Sequence, residues 1–194
     1  DANIGEDAGR RLKIIHEEAK RCSGIVQGLL GFAMPKPFEK KRVDANEVIE
    51  TTLKIAGYAI GKDNIKIIRN FAKDGLFIIG DPARLEQVFM NIIMNALNAM
   101  PDGGTLTVTT RKEEEGNGTK AVVSFKDTGI GMTEETKKKI FEPFFTTSYD
   151  EGRKGLGLGL SISYSIIKAH SAGIVVGSEG LGKGSEFKII FPGA

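Results

Sequence analysis

The sequence contains very little cysteine and no long apolar run, and each absence excludes a class of protein. Of its 194 residues only Cys22 is a cysteine, so no internal disulfide framework can form and a reducing compartment is expected. No apolar run approaches the roughly 20 residues that are needed to cross a bilayer, and the charged N-terminus lacks the features of a signal peptide. We therefore expect a cytoplasmic chain without a membrane segment of its own.

An excess of charge of one sign is also missing. Lys and Arg number 27 and Asp and Glu 25, which gives a formal net charge of +2, and the two signs are interspersed. This pattern does not favour a nucleic-acid partner. The hydrophobic content of 40% and charged content of 27% are typical of a soluble globular protein, and the length allows one ordinary domain plus an appendage.

Residues 6–34 have the heptad pattern of one long helix. The apolar residues that alternate by three and four are Leu12, Ile15, Ala19, Cys22, Val26, Leu29 and Ala33. Such a seam is typical of a coiled coil or helical bundle and needs partner helices. Two prolines just after residue 34 end the helix, because proline disfavours helix at the residue before it. We predict a helical segment at 1–34, a linker at 35–42 and a second domain at 43–194.

The second domain is predicted to contain both strands and helices. Asp81 and Pro82 begin a strong helix, with Asp as the N-cap and Pro at the first helical position. Other helices are predicted to begin near Ala45, Thr133 and Leu158, and strands are predicted at 65–71, 76–79, 105–110, 121–126, 174–178 and 186–191. Helices bounded by adjacent hairpin strands predict an α+β fold, a two-layer sandwich of one mixed sheet with helices on one face.

Three asparagines share one stripe of the helix that begins at Pro82. Asn91, Asn95 and Asn98 are spaced i, i+4 and i+7, and apolar residues occupy the other side of the helix. Amide carbonyl groups are hard oxygen donors that suit Mg²⁺. A solvated helix face has the same pattern, and the asparagines taken alone favour that simpler interpretation.

A carboxylate followed by two glycines forms the next candidate. Asp127 ends a predicted strand and precedes Gly129 and Gly131. A carboxylate in this position can accept a hydrogen bond from the exocyclic amine of a base, and the glycines would let the backbone approach a flat ring. The alternative is an Asx-type turn with no ligand.

A glycine-rich turn opens the helix near Leu158. Its sequence is Gly155-Leu156-Gly157-Leu158-Gly159. Free N–H groups at a helix start favour phosphate, and glycines remove steric barriers. No Gly-Lys-Ser/Thr follows, so this is not a Walker loop, and it does not belong to a strand–turn–helix dinucleotide unit. The polar stretch of about 12 residues before it is typical of a lid or of disorder, and its Arg153 and Lys154 either contact phosphate or form an ordinary solvated charge cluster.

Taken in order, four segments resemble the ATP-binding catalytic domain of sensor histidine kinases, within the larger family shared with gyrase, Hsp90 and MutL. The segments are 91–95, 127–131, 141–145 and 155–159. The resemblance covers about the last three-quarters of the chain. It implies a Bergerat-type fold, ATP and Mg²⁺ as cofactors, and transfer of the γ-phosphoryl group to a histidine for relay to an aspartate of a response regulator.

The resemblance also assigns roles to residues. It implies that Asn95 is the principal magnesium ligand and Asn91 a second contact to metal or phosphate, so these two are the catalytic positions, and that Asp127 bonds the adenine amino group. The remaining nucleotide-binding positions that it implies are Asn98, Gly129, Gly131, Arg153, Lys154, Gly155, Leu156, Gly157, Leu158, Gly159 and Ser185. Asn98 stands where the family often has a lysine, and Ser185 replaces the usual threonine near adenine.

The acceptor segment of a histidine kinase, His-Glu/Asp-x-x-Asn-Pro, is missing. His16 is followed by Glu17 but not by Asn-Pro, and His170 ends a helix at a position that the family also fills with histidine. We expect no phosphoacceptor here, and we interpret residues 1–34 as the second helix of a dimerisation hairpin. The chain is then a fragment that starts just after the acceptor helix and does not autophosphorylate alone.

The resemblance implies partners as well. It implies a homodimer through the hairpin in the full-length protein, which is either membrane-anchored or soluble, and a response regulator receiver domain as a further partner. Two alternatives stay open. One is an ATPase of the gyrase, Hsp90 or MutL type, but those proteins place a Glu general base where this chain has Asn91. The other is a nucleotide-binding regulatory module without kinase output, which the motifs do not distinguish.

Overall fold

The structure, a computed structural model, describes residues 38–60, 64–115, 118–147 and 156–193, together with five residues near the N-terminus. Those five are Ala8, Gly9, Arg11, Leu12 and Ile15, and all are helical. The chain divides into two compact units, Asp1–Phe38 and Glu39–Ala194. The rest of the helix predicted over residues 6–34, including Cys22 and His16, lies outside the described residues. No helix in the described part of the chain has the length and apolar character of a membrane span.

In the second unit the described residues form strands and helices in mixed order. The strands are β1 (Lys41–Asp44), β2 (Ile65–Asn70), β3 (Phe77–Gly80), β4 (Gly104–Glu115), β5 (Gly118–Asp127), β6 (Gly173–Gly177) and β7 (Ser185–Pro192). The helices are α1 (Ala45–Ile60), α2 (Pro82–Asn98), α3 (Glu134–Lys139) and α4 (Gly159–Ala169).

The main sheet has five strands in the order β2-β4-β5-β7-β6. Strand β2 pairs with β4 in parallel, and all the other neighbours are antiparallel. Strands β1 and β3 form a separate antiparallel pair. The sheet is therefore mixed, and together with the helices it gives the α+β fold that the sequence predicts.

Helix α2 lies at the centre of the core, where it packs against α1, α4 and β5. Its buried residues are Leu85, Val88, Phe89, Ile92, Ile93, Ala96 and Leu97. The Phe89 ring lies 5.6 Å from the ring of Phe125 on β5. Burial of this apolar face holds α2 against the sheet, and it leaves the three asparagines of the other face at or near the surface.

The start of α2 is fixed by its own sequence. The Asp81 carboxylate accepts hydrogen bonds from the N–H groups of Ala83 at 3.1 Å and Arg84 at 3.2 Å, and Pro82 occupies the first helical position. Both features were predicted. Helix α4 differs, because no side-chain hydrogen bond caps its start at Leu158.

Strand β1 was not predicted from the sequence, and its first two residues belong to the predicted linker, residues 35–42. Three of its four residues carry charge, so no alternation marks it as a strand. It forms because Arg42 and Val43 pair with Ile79 and Ile78 of β3. The guanidinium of Arg42 also lies 3.8 Å from the centre of the Phe77 ring.

Candidate functional site

A cleft of about 350 Å³ lies between α2, the turn that follows β5 and the start of α4. The cleft is lined by eight of the residues that were predicted from sequence to bind nucleotide: Asn95, Asn98, Asp127, Gly131, Leu156, Gly157, Gly159 and Ser185. The fold thus brings together predicted residues from four separate parts of the chain. Arg153, Lys154 and Gly155 lie outside the described residues.

Much of the cleft wall was not predicted from sequence. The additional lining residues are Ala96, Ala99, Ile130, Met132, Thr136, Ile140, Phe145, Thr146, Thr147, Leu160 and Phe187. Several are apolar and suit the flat face of an aromatic ring. A helix was predicted to begin near Thr133, but the sequence does not show which side of so short a helix meets a cleft.

Asp127 is the buried carboxylate of the cleft. Its Oδ1 accepts hydrogen bonds from the N–H of Gly129 at 2.8 Å and from the N–H of Ser185 at 3.2 Å. Burial raises the pKa of Asp127, although the backbone hydrogen bonds oppose the shift. The described residues make no hydrogen bond to Oδ2, so this oxygen is left for a donor in the cleft. The Asx-type turn is therefore present, and it leaves one carboxylate oxygen of Asp127 without a bond from the described residues.

The glycines that follow Asp127 are required by the protein backbone itself. A Cβ on Gly129 would lie 2.4 Å from the carbonyl oxygen of Ala99, and one on Gly131 would lie 2.1 Å from that of Gly180. The sequence predicts that these glycines make room for a flat ring. Gly131 does line the cleft, but the close contacts at both positions come from neighbouring chain segments.

The three asparagines of α2 do not share one environment. Asn95 and Asn98 line the cleft, whereas Asn91 does not. The Asn91 Nδ2 donates to the carbonyl oxygen of Gly159 at 3.0 Å and to the Ser163 Oγ at 3.1 Å, both on α4. Asn91 thus joins the two helices that border the cleft.

The available oxygen donors fit a magnesium ion. The described residues contain no group of three or more His, Cys, Asp or Glu side chains that could hold a metal. The amide oxygen of Asn95 is a hard donor in the cleft, and Mg²⁺ requires few protein ligands when phosphates and water complete its shell.

The glycine-rich turn packs against residues 141–145, the segment that contains three phenylalanines. Gly157 has a φ of 66°, its carbonyl oxygen accepts from the N–H of Phe144 at 3.0 Å, and a Cβ there would lie 2.5 Å from the Phe145 carbonyl oxygen. Leu158 is buried and does not line the cleft. These contacts fix the backbone that leads into α4.

The three phenylalanines have different surroundings. Phe141 packs against the core and lies 5.4 Å from the ring of Tyr164, and Phe145 lines the cleft. Phe144 is 64% exposed and has a φ of 66°, which is unusual for a bulky residue.

His170 occupies a structural position. Its Nε2 accepts from the N–H of Asp81 at 3.0 Å, so Nδ1 carries the proton and donates to the carbonyl oxygen of Ile166 at 2.8 Å. Burial lowers the pKa of His170. A ring whose two nitrogens bond buried backbone is held neutral and is not presented to a substrate.

Comparison with known proteins defines the class. Residues 80–194 match the family described as histidine kinase-, DNA gyrase B-, and HSP90-like ATPase, and the chain belongs to this family. Its relatives include sporulation kinases and sensor histidine kinases. Sporulation kinase C of Bacillus subtilis (strain 168) is 39% identical over 180 residues, which cover 92% of this chain.

Solved structures of histidine kinases resemble this chain as well. Full-length ShkA in complex with AMPPNP superposes with a TM-score of 0.76 at 26% identity over 92% of this chain and 37% of its own. ThkA in complex with the response regulator protein TrrA gives a TM-score of 0.74 at 29% identity over 93% and 50% of the two chains. The chain spans 40% of the length of Sporulation kinase C, so it corresponds to a part of such a protein.

Proposed function

We propose that this chain is the catalytic, ATP-binding part of a sensor histidine kinase. It would bind Mg-ATP and transfer the γ-phosphoryl group to a histidine of a dimerisation helix, for relay to an aspartate of a response regulator. The observation that carries the proposal is the cleft in which Asp127, Asn95 and the start of α4 meet.

The buried end of the cleft suits adenine. Because Oδ1 of Asp127 already accepts two backbone hydrogen bonds, Oδ2 is the atom left to accept from the adenine amino group. Apolar side chains such as Ile130, Met132 and Ile140 would pack on the ring. Ser185, whose backbone N–H bonds Asp127, lines the cleft as well.

The other end of the cleft suits phosphates and magnesium. Asn95, assisted by Asn91, would hold Mg²⁺, which when bound neutralises phosphate charge. The start of α4 carries no side-chain cap, so its backbone N–H groups and its dipole favour a phosphate there. Asn98, Arg153 and Lys154 are proposed as further phosphate contacts. Positioning and charge neutralisation are the main requirements of phosphoryl transfer.

The environment of Asn91 favours a kinase over a hydrolytic ATPase. An amide takes no proton from water, so the general base of a gyrase- or Hsp90-type ATPase is missing at this position. Both N–H groups of the Asn91 amide have partners on α4. A regulatory module that binds nucleotide without kinase output is the second alternative, and the kinase names of the relatives argue against it.

The proposal includes the arrangement of the full-length protein. Residues 1–34 would form the second helix of a dimerisation hairpin, 35–42 a linker and 43–194 the catalytic domain. The homodimer would form through the hairpin. A response regulator receiver domain is the proposed partner, and the complex of ThkA with TrrA supports this.

The test is calorimetric binding of ATP with Mg²⁺ and with chelator. We expect Asn95→Ala to weaken binding in Mg²⁺ and to change little in chelator, because only the metal contact is lost. Gln87→Ala is the matched control, since Gln87 is an exposed amide two turns earlier on α2 and does not line the cleft. An equal loss for Asn95→Ala in both conditions would remove Asn95 as a metal ligand, and no binding by the wild type would reject the function.

A further inference from the structure

The amide of Asn91 is fixed by two acceptors on α4. Its Nδ2 donates to the Gly159 carbonyl oxygen at 3.0 Å and to the Ser163 Oγ at 3.1 Å. A carbonyl oxygen can only accept, so the NH₂ group rather than the carbonyl of Asn91 must face Gly159. Both N–H groups are then used, and the carbonyl oxygen is the only polar atom that the side chain has left for a ligand.

The Gly159 carbonyl excludes the opposite orientation, and Ser163 adds a second hydrogen bond that holds the amide in place. Ser163 is fully buried, and its hydroxyl donates its single proton to the Gly159 carbonyl oxygen at 2.9 Å. The hydroxyl oxygen must therefore act as an acceptor towards Asn91. Each hydrogen of the Asn91 amide and of the Ser163 hydroxyl then has one acceptor. Rotating the amide by half a turn would place its oxygen against the Gly159 carbonyl oxygen, so that two acceptors would face each other.

We propose that Ser163 is a positioning residue that orients the Asn91 amide so that its carbonyl oxygen serves a cation. This proposal rests on the proposed function, and it specifies which part of Mg-ATP the Asn91 side chain contacts. A carbonyl oxygen accepts no hydrogen bond from an ionised phosphate, so Asn91 contacts Mg²⁺ or its water shell and not a phosphate oxygen directly. Ser163 lies 72 residues from Asn91 in sequence, so the metal site depends on how α4 packs on α2.

The variant Ser163→Ala tests the proposal, with AMPPNP binding measured by calorimetry in Mg²⁺ and in chelator. Loss of one oriented hydrogen bond is expected to weaken binding in Mg²⁺ by roughly 3- to 10-fold. Binding in chelator is expected to stay within about 2-fold of wild type, which is below the effect of one hydrogen bond. The control is Ser165→Ala. Like Ser163, Ser165 donates its hydroxyl to the carbonyl oxygen four residues earlier on α4, here Ser161 at 3.1 Å, but it makes no hydrogen bond to Asn91.

A double variant separates positioning from general stability. If Ser163 acts only through Asn91, then Asn91→Ala with Ser163→Ala binds AMPPNP in Mg²⁺ as Asn91→Ala alone does. Additive losses, or equal losses in Mg²⁺ and chelator, would overturn the proposal. Should Ser163→Ala not fold, Ser163→Cys keeps the volume with a much weaker acceptor and is expected to lose the same magnesium effect. Failure of the wild type to bind AMPPNP would instead reject the proposed function.

Discussion

Among single residues, Asp127 is expected to decide which base the cleft accepts. In Asp127→Asn the amide oxygen would keep the hydrogen bonds from Gly129 and Ser185, so the NH₂ group would take the place of Oδ2 and face the adenine amino group. Two donors would then oppose each other. We expect a loss of ATP affinity of about 1–3 kcal/mol, or roughly 5- to 150-fold.

The same variant should bind GTP relatively better, because an NH₂ group can donate to the guanine carbonyl. The measurement is the ratio of ATP to GTP affinities for wild type and Asp127→Asn by calorimetry. An unchanged ratio would show that Asp127 does not read the base. The raised pKa of Asp127 is consistent with an oxygen that lies in a buried site.

His170 is expected to make the stability of the fold depend on pH. Burial lowers its pKa in the folded protein below the unfolded value of about 6.5. Its stabilising contribution is therefore complete above about pH 6.5 and is lost as the pH falls through the lowered folded value, because the unfolded state binds more protons in that range. The charged groups that influence its pKa are Lys40, Asp81 and Arg84.

The variant His170→Gln isolates this effect. Its amide oxygen can accept from the N–H of Asp81 in place of Nε2, but it does not titrate. We expect the urea midpoint of the wild type to fall more steeply than that of His170→Gln as the pH decreases below about 6.5. Parallel curves for the two proteins would show that His170 does not titrate on unfolding.

Among the structural elements, the turn between β6 and β7 packs against the backbone of Asp127. Gly182 and Gly184 have φ values of 73° and 69°, so an alanine at either position would carry a similar backbone strain. A Cβ on Gly184 would lie 2.1 Å from the carbonyl oxygen of Asp127, whereas one on Gly182 would meet nothing within 4 Å. Comparing the alanine variants of Gly182 and Gly184 therefore separates the cost of backbone strain from the cost of steric overlap.

We expect Gly182→Ala to lower the free energy of unfolding by about 1–2 kcal/mol. Gly184→Ala should cost at least about 2 kcal/mol more, because the backbone of Asp127 has to move. Urea unfolding of both variants gives the comparison. Equal losses of unfolding free energy in the two variants would mean that the turn relaxes to accommodate the new Cβ. The close approach of Gly184 to Asp127 would then make no difference to stability.

At the scale of the whole molecule, the chain should bind nucleotide without accumulating phosphohistidine. His170 bonds the backbone through both ring nitrogens, and His16, which lies outside the described residues, has no acceptor motif around it. Incubation with γ-labelled ATP is expected to give no acid-labile, base-stable label. A polypeptide that supplies an acceptor helix with its histidine should become labelled when it is added in trans.

The control for this experiment is His16→Gln. Strong label on the wild-type chain alone that disappears in His16→Gln would make His16 the acceptor. Such a result would contradict the expectation that the acceptor is supplied by another helix.

Local patterns were sufficient for several parts of the fold and the site. The alternation of apolar and polar residues predicted α2 with its asparagine stripe, and Asp81 with Pro82 predicted its start, because capping involves residues only two or three apart. The order of the motifs predicted the family. Each of these signals depends on neighbours in sequence, which a single chain shows directly.

The sequence by itself determined most of the elements, the family and eight of the 19 residues that line the cleft, whereas the tertiary structure decided the rest of the cleft wall and what each residue contacts. It placed Ser163 against Asn91 across 72 residues and His170 against Asp81 across 89. It also showed that Gly129 and Gly131 are glycines because other backbone segments approach them closely. The physical reason is that hydrogen bonding and steric overlap act over a few ångströms, and only packing of the helices on the sheet brings residues so distant in sequence to that separation.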